Sequence, residues 1–174
     1  MKNLEIIRLK KSVRVWLICF VVLLILSGIT AFPLETELAY LNKNSFLFPE
    51  SIQQWIFKIY ISVKNTNEHY PQLAYGTDWL AFAHIIITVA FFGPLKDPVK
   101  NRWVIQFGMI SCLMVFPLAF ICGPIRSIPL YWQFIDCSFG IFGLIPLYIC
   151  NKRIKRIEFL EMNSNIVSTK LSEK

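Results

Sequence analysis

Residues 13–32 read VRVWLICFVVLLILSGITAF, with one charge, Arg14, close to the start. About 20 apolar residues at ~1.5 Å per helical residue reach across a hydrocarbon layer about 30 Å thick. In such a layer only a helix or a closed barrel satisfies every backbone polar group. The stretch therefore predicts a helix made to span a membrane. Its basic flank and the following Ser27-Gly28-Ile29-Thr30-Ala31 resemble a secretory signal. Ile29 is a poor residue three places before a cut after Ala31, so an uncleaved signal anchor is expected.

Working outward, three more apolar runs have the same length class. One runs over 78–93 and is expected to stop at Gly93-Pro94, because proline cannot continue a helix hydrogen-bond ladder. The next runs over 103–122 and is expected to stop at Gly123-Pro124. The last runs over 130–150, and the basic stretch 151–162 could prolong its helix. The links GPLKDPVKNR and GPIRSIP are short, and short links force antiparallel neighbours. The expected fold is an all-α membrane protein, an up-down bundle of four transmembrane helices. Residues 1–162 would form its single domain and 163–174 a polar cytoplasmic tail.

Composition agrees. Of 174 residues, 55% are hydrophobic and 17% charged, against about 25% charged in an ordinary soluble domain. The net charge of +7 would suggest nucleic acid until it is mapped. All the basic residues except Lys43, Lys58, Lys64 and Arg126 lie in 2–14, 96–102 and 152–174. That is the pattern of cytoplasmic loops and ends under the positive-inside rule. It places both termini in the cytoplasm and argues against a nucleic-acid partner. The bilayer is the expected partner, and basic ends of this kind attract anionic headgroups. Cys19, Cys112, Cys122, Cys137 and Cys150 are odd in number and lack CxxC spacing, so they read as small packing residues.

Between the first two spans, 34–77 would lie outside. Within it Ile52, Trp55, Ile56, Ile59, Tyr60 and Val63 recur at helical spacing after Pro49. This predicts an outer interfacial amphipathic helix over about 50–63, with Trp55 and Tyr60 at headgroup depth. It would cover the bundle as a packing element or as a lid over a site. Gly108, Ser111, Cys112 and Ala119 of the third span, with Gly140 and Gly143 of the fourth, mark faces where helices approach closely.

Two ionisable residues need explaining. Asp136 lies six residues beyond Leu130 and His84 six beyond Asp78. Each is then roughly 9 Å inside its span at 1.5 Å per residue. An acid at that depth calls for a partner or a wet cavity. Thr77, Ala81, His84 and Thr88 share one helical face, as do Gln133, Asp136, Gly140 and Gly143. One outward-facing polar pocket would follow, with Asp78, Thr88, Gln133, Arg126, Glu68 and His69 as ligand-binding residues. Asp78, with Thr77 as N-cap, also reads simply as a first-turn acid matched to the helix dipole.

Three functions fit that plan. The first is a protein of unknown activity that binds a small or lipid-like ligand, or acts as an accessory subunit. The second is a membrane-embedded enzyme on a lipid or isoprenoid, with catalytic His84 as acid/base oriented by Asp136. The third is a component of a homo-oligomer or larger complex. No Walker, GxGxxG or GxSxG motif is present, no His/Asp/Glu spacing suits a metal, and the sequence names no cofactor.

The stretch from Asn67 to Cys150, NEHYPQLAYGTDWLAFAH followed by GPLKDPVKNRWVIQFGMI and CGPIRSIPLYWQFIDCSFGIFGLIP, resembles the core of uncharacterised small four-helix proteins of the bacterial inner membrane. That resemblance implies a bacterial cytoplasmic membrane location and carries no activity. The plan is also similar to the sterol-isomerase and sigma-2-receptor type, which has a long first loop, cytoplasmic ends and buried acids. The first span here has no internal acid, and the similarity is one of architecture.

Overall fold

A computed structural model describes residues 2–172, with side chains over 3–163. No strand occurs among the described residues. In chain order, the helices are α1 (Lys2–Thr30), α2 (Leu34–Lys43), α3 (Glu50–His69), α4 (Pro71–Ala90) and α5 (Phe92–Lys96). They continue with α6 (Arg102–Pro117), α7 (Gly123–Ile125) and α8 (Leu130–Ser172). A 3-10 turn, Ser45–Leu47, precedes α3, and a π-helical stretch, Leu118–Cys122, joins α6 to α7. Four helical segments are long and apolar enough to cross a membrane: Asn3–Thr30, Pro71–Lys96, Arg102–Ile125 and Leu130–Asn163. Only 22–33% of each apolar window is buried. The remainder presents large side chains such as Ile18, Leu80, Ile110 and Phe139 outward. Apolar surface on that scale calls for lipid or protein around it.

Several expected boundaries move. Gly93-Pro94 does not end the second helical segment, which bends after Phe91 and runs to Lys96. Gly123-Pro124 does not end the third. The chain passes through the π stretch and takes another turn, with Pro124 near the start of α7. Both prolines sit where a new turn begins, and there the missing N–H costs little. The second segment starts at Pro71 rather than Asp78, for the same reason. The fourth continues past Cys150 through 151–162, as its basic sequence allowed, and then beyond: α8 runs through Pro146 as one helix to Ser172. At ~1.5 Å per residue its 43 residues measure roughly 65 Å. The tail expected over 163–174 is thus helical as far as Ser172, while Glu173 and Lys174 lie outside the described residues.

The chain divides into two compact units, 1–22 with 89–174, and 23–88. In the first unit, the opening of α1 packs on α8, and α6 packs on α8 and α5. Its core holds Val13, Leu17, Phe91, Ile105, Leu147, Ile154 and Ile157, each at most 1% exposed. Gly140 lets α8 approach α6, since a Cβ there would stand 2.6 Å from the Cys112 carbonyl oxygen. A Cβ at Gly143 would stand 2.9 Å from Cys112 Sγ. The small-residue faces thus meet each other, as close packing between apolar helices requires.

Past Cys150 the stripe Cys150, Ile154, Ile157 and Leu160 stays buried at helical spacing. Charged residues flank that stripe, and removing each large apolar side chain from water is worth about 1.5–3 kcal/mol. Flanking it, Lys10 pairs with Glu161 at 2.8 Å and Arg156 with Glu5 at 3.1 Å. Arg102 of α6 reaches both Asn151 and Glu158, each at 2.9 Å. Before α6, the Asn101 amide closes the link by donating to the Gly93 and Asp97 carbonyls. After α7, Ser127 adopts φ 55°. Ile128 N–H then reaches the Gly123 carbonyl at 2.9 Å, a helix-ending turn in which serine stands where glycine is usual.

In the second unit, the segment expected to hold one short helix holds two. α2 and α3 run antiparallel, because Glu35 at the start of α2 accepts from Asn67 near the end of α3 at 2.6 Å. Leu38 of α2 and Ile56 of α3 are their buried residues. α3 extends to His69 rather than ending near residue 63. The end of α1 meets α4 at Gly28, where a Cβ would stand 3.0 Å from the Ala81 carbonyl oxygen and 3.1 Å from His84 Cβ.

Candidate functional site

The residues singled out from sequence divide between the two units. His84, Asp78, Thr88, Glu68 and His69 belong to the second, and Asp136, Gln133 and Arg126 to the first. The acid/base pair His84 and Asp136 therefore draws one member from each.

In the second unit, Ala81 is fully buried and Thr88 is 3% exposed, whereas Thr77 at the head of the same face of α4 is exposed. His84, half-buried on that face, places Nδ1 2.8 Å from the Leu80 carbonyl. A carbonyl only accepts, so in this contact Nδ1 is the donor. Thr88 turns its hydroxyl back to the His84 carbonyl at 2.9 Å, the usual way a helix satisfies a buried hydroxyl. Its only donor is thus used inside α4. Glu68 and His69 are exposed at the end of α3. Glu68 faces Lys64 at 3.8 Å, and His69 Nδ1 contacts the Asn65 carbonyl at 3.1 Å. Neither lines the cleft described below.

Asp78 behaves differently from its first-turn reading. α4 begins at Pro71, so Asp78 is two turns inside and cannot be matched to that helix's dipole end. Thr77 is not an N-cap, since its hydroxyl donates back to the Ala74 carbonyl. Asp78 instead lines an open cleft of about 540 Å³ formed by the start of α2, the end of α3 and the start of α4. Glu35, Asn67, Thr66 and Thr77 line it too, beside Phe32, Val63 and Leu73. Its lining carries two carboxylates, Glu35 and Asp78, and no Lys, Arg or His. The Asn67 amide satisfies one oxygen of Glu35 and leaves the other available. Glu35 and Asn67 were not among the expected site residues. A signal for Glu35 alone existed: Leu34, Leu38 and Leu41 repeat at helical spacing, and Glu35 and Glu37 fall in the first turn of that repeat.

In the first unit, Asp136 is half-buried and finds no hydrogen-bond or ion-pair partner among the described residues of its unit. One turn earlier Gln133, 4% exposed, donates to the Ile128 carbonyl at 2.8 Å. Its Oε1 is buried without a partner. Gly123 packs flat on that amide, where a Cβ would fall 2.7 Å from Gln133 Cδ. Gln133 thus fastens the turn between α7 and α8, while Arg126 on the same turn is exposed. All five cysteines are free thiols. No cluster of three or more His, Cys, Asp or Glu suited to a metal occurs among the described residues.

No protein-family model, curated protein or solved structure matches this chain. What the site can do rests on its own chemistry. Two acids beside an apolar wall suit a molecule with a cationic or donor-rich head and an apolar body. At about 540 Å³ the cleft falls within the usual range for small-molecule sites, about 300–1,000 Å³.

Proposed function

We propose that this chain is a multi-pass protein of a bacterial cytoplasmic membrane that binds a small or lipid-like ligand with a positively charged head. Its four apolar segments would cross in alternating directions as an up-down bundle, with both termini in the cytoplasm. The short links between segments and the concentration of cations in 2–14, 96–102 and 152–174 support that orientation. Residues 34–77 then face outward, and α2 with α3 forms an interfacial helical hairpin.

The observation that carries the ligand reading is the cleft with Glu35 and Asp78 in its wall and no basic residue opposing them. Apolar wall residues would take the body of the ligand, and the carboxylates its ammonium or guanidinium group. Purified protein in detergent micelles, titrated with matched cationic and anionic amphiphiles, tests this by isothermal calorimetry. Cationic members are expected to bind and anionic members not. Glu35→Gln with Asp78→Asn is expected to remove that preference while leaving the melting temperature unchanged. Equal binding of both charge types, or an unaltered preference in the double variant, would overturn the reading. A phosphatase fusion at Asn44, active only outside the cytoplasm, checks the orientation separately.

A further inference from the structure

A second cleft lies in the other unit, and its chemistry is the opposite. One face of α1 supplies Leu4, Glu5, Arg8, Leu9 and Ser12, and α8 supplies Arg153, around a space of about 650 Å³. The α1 positions repeat at three to five residues, so they share one helical face. The Arg153 guanidinium hydrogen-bonds the Ser12 hydroxyl. Neither Arg8 nor Arg153 has a carboxylate partner among the described residues. Glu5, the one acid in the wall, is engaged by Arg156 at 3.1 Å. The cleft therefore presents two guanidinium groups that no described carboxylate neutralises, one of them tied to the Ser12 hydroxyl.

Its position matters as much as its charge. Arg153 lies three residues past Cys150, and Ser12 immediately precedes Val13. Both thus stand where the long apolar runs of α1 and α8 give way to charged sequence. Leu4 and Ile7, each 62% exposed, are large apolar residues among cations. Bulk water is a poor environment for that pairing, whereas a headgroup layer accommodates both parts. Planar guanidinium forks match phosphate oxygens in pairs.

We propose that this cleft binds a phosphate-bearing anion through Arg8, Arg153 and Ser12. At that depth the source is the headgroup of an anionic phospholipid, with the apolar side chains of Leu4 and Leu9 against its glycerol and upper acyl atoms. The site is independent of the acidic cleft, and either can fail without the other.

Native mass spectrometry of the full chain released from nanodiscs of phosphatidylglycerol or phosphatidylcholine tests it. The wild type is expected to retain one phosphatidylglycerol and no phosphatidylcholine. Each arginine near a membrane surface contributes to anionic-lipid attraction, so Arg8→Gln should weaken retention about fivefold. Arg8→Gln with Arg153→Gln should abolish it. Lys11→Gln, an exposed cation outside the cleft, serves as the control and should change retention little. Because Arg153 also ties α8 to Ser12, the exposed Arg8→Gln variant decides the matter if the double variant is unstable. Equal retention of the two lipids, or an Arg8→Gln variant that behaves like Lys11→Gln, overturns the proposal. Release of the bound lipid by millimolar glycerol phosphate, with the same dependence on Arg8, would support the phosphate site with a soluble source.

Discussion

The two compact units handle their polar residues in opposite ways. In the unit built from 1–22 and 89–174, every described acid except Asp136 is matched to a cation: Glu161 with Lys10, Glu5 with Arg156, Glu158 with Arg102, and Asp97 with Lys100. Beneath those pairs the helices touch at backbone distance, as at Gly140. In the unit 23–88, Glu35 and Asp78 face an open cleft, and the carboxylates find no cation there. The first arrangement is that of a scaffold, in which carboxylates are held by the protein's own cations. The second leaves charge uncompensated, as a surface awaiting a ligand does.

Substitutions can break or sharpen that contrast. The largest effect should come from one substitution made in both units. Gly140→Ala would drive a Cβ to 2.6 Å from the Cys112 carbonyl oxygen, a backbone atom that cannot move aside. It should cost about 1–3 kcal/mol, read as a lowered melting temperature in detergent. Gly76 in α4 has nothing within 4 Å of a built Cβ. Gly76→Ala should raise stability by up to about 1 kcal/mol, because alanine restricts the unfolded helix backbone more than glycine does. The same sign at both sites would erase the distinction between a tight and an open unit.

Next in size is Arg102→Gln. Arg102 serves two acceptors, Asn151 and Glu158, with its side chain 24% and that of Glu158 34% exposed. Its loss should cost about 1–2 kcal/mol, since hydrogen bonds to charged groups exceed neutral ones. Lys10→Gln, at a pair whose side chains are 43% and 39% exposed, should cost less than about 1 kcal/mol, and that cost should fall with added salt. Chemical denaturation of the two variants at low and high salt ranks them. A reversed ranking would mean that the fork of Arg102 is not holding α6 to α8.

The smallest stability effect is expected from Asp78→Asn, within about 0.5 kcal/mol of wild type. No hydrogen bond or ion pair in its own unit depends on its charge. A large loss of stability there would show that Asp78 belongs to the framework and not to the cleft.

Most of the helical plan is legible along the chain, because apolar runs of 20 residues are a local property and need no knowledge of neighbours. The errors cluster at proline. Gly93-Pro94 and Gly123-Pro124 read as punctuation, yet each sits at a turn boundary where a helix bends or begins. α2 was hidden by its length of 10 residues, although its leucine repeat was present. The acidic cleft was out of reach for another reason. Glu35 and Asn67 are 32 residues apart, and only the antiparallel pairing of α2 and α3 brings them together. Asp78 was singled out from its place near an apolar run and proves to lie in the cleft wall, whereas Glu68 and His69, close to it in sequence, do not.

The length of α8 has a mechanical consequence. One uninterrupted rod carries Gln133 and Asp136 near one end and Arg153, Arg156 and Glu161 toward the other. Nothing between them can slacken independently, except at Pro146, where the ladder loses a donor. A twist imposed beside Asp136 must therefore either bend the rod at Pro146 or appear as rotation among the charged partners beyond Cys150. The helix works as an axle with one flexible joint, and whatever grips one end also turns against the other.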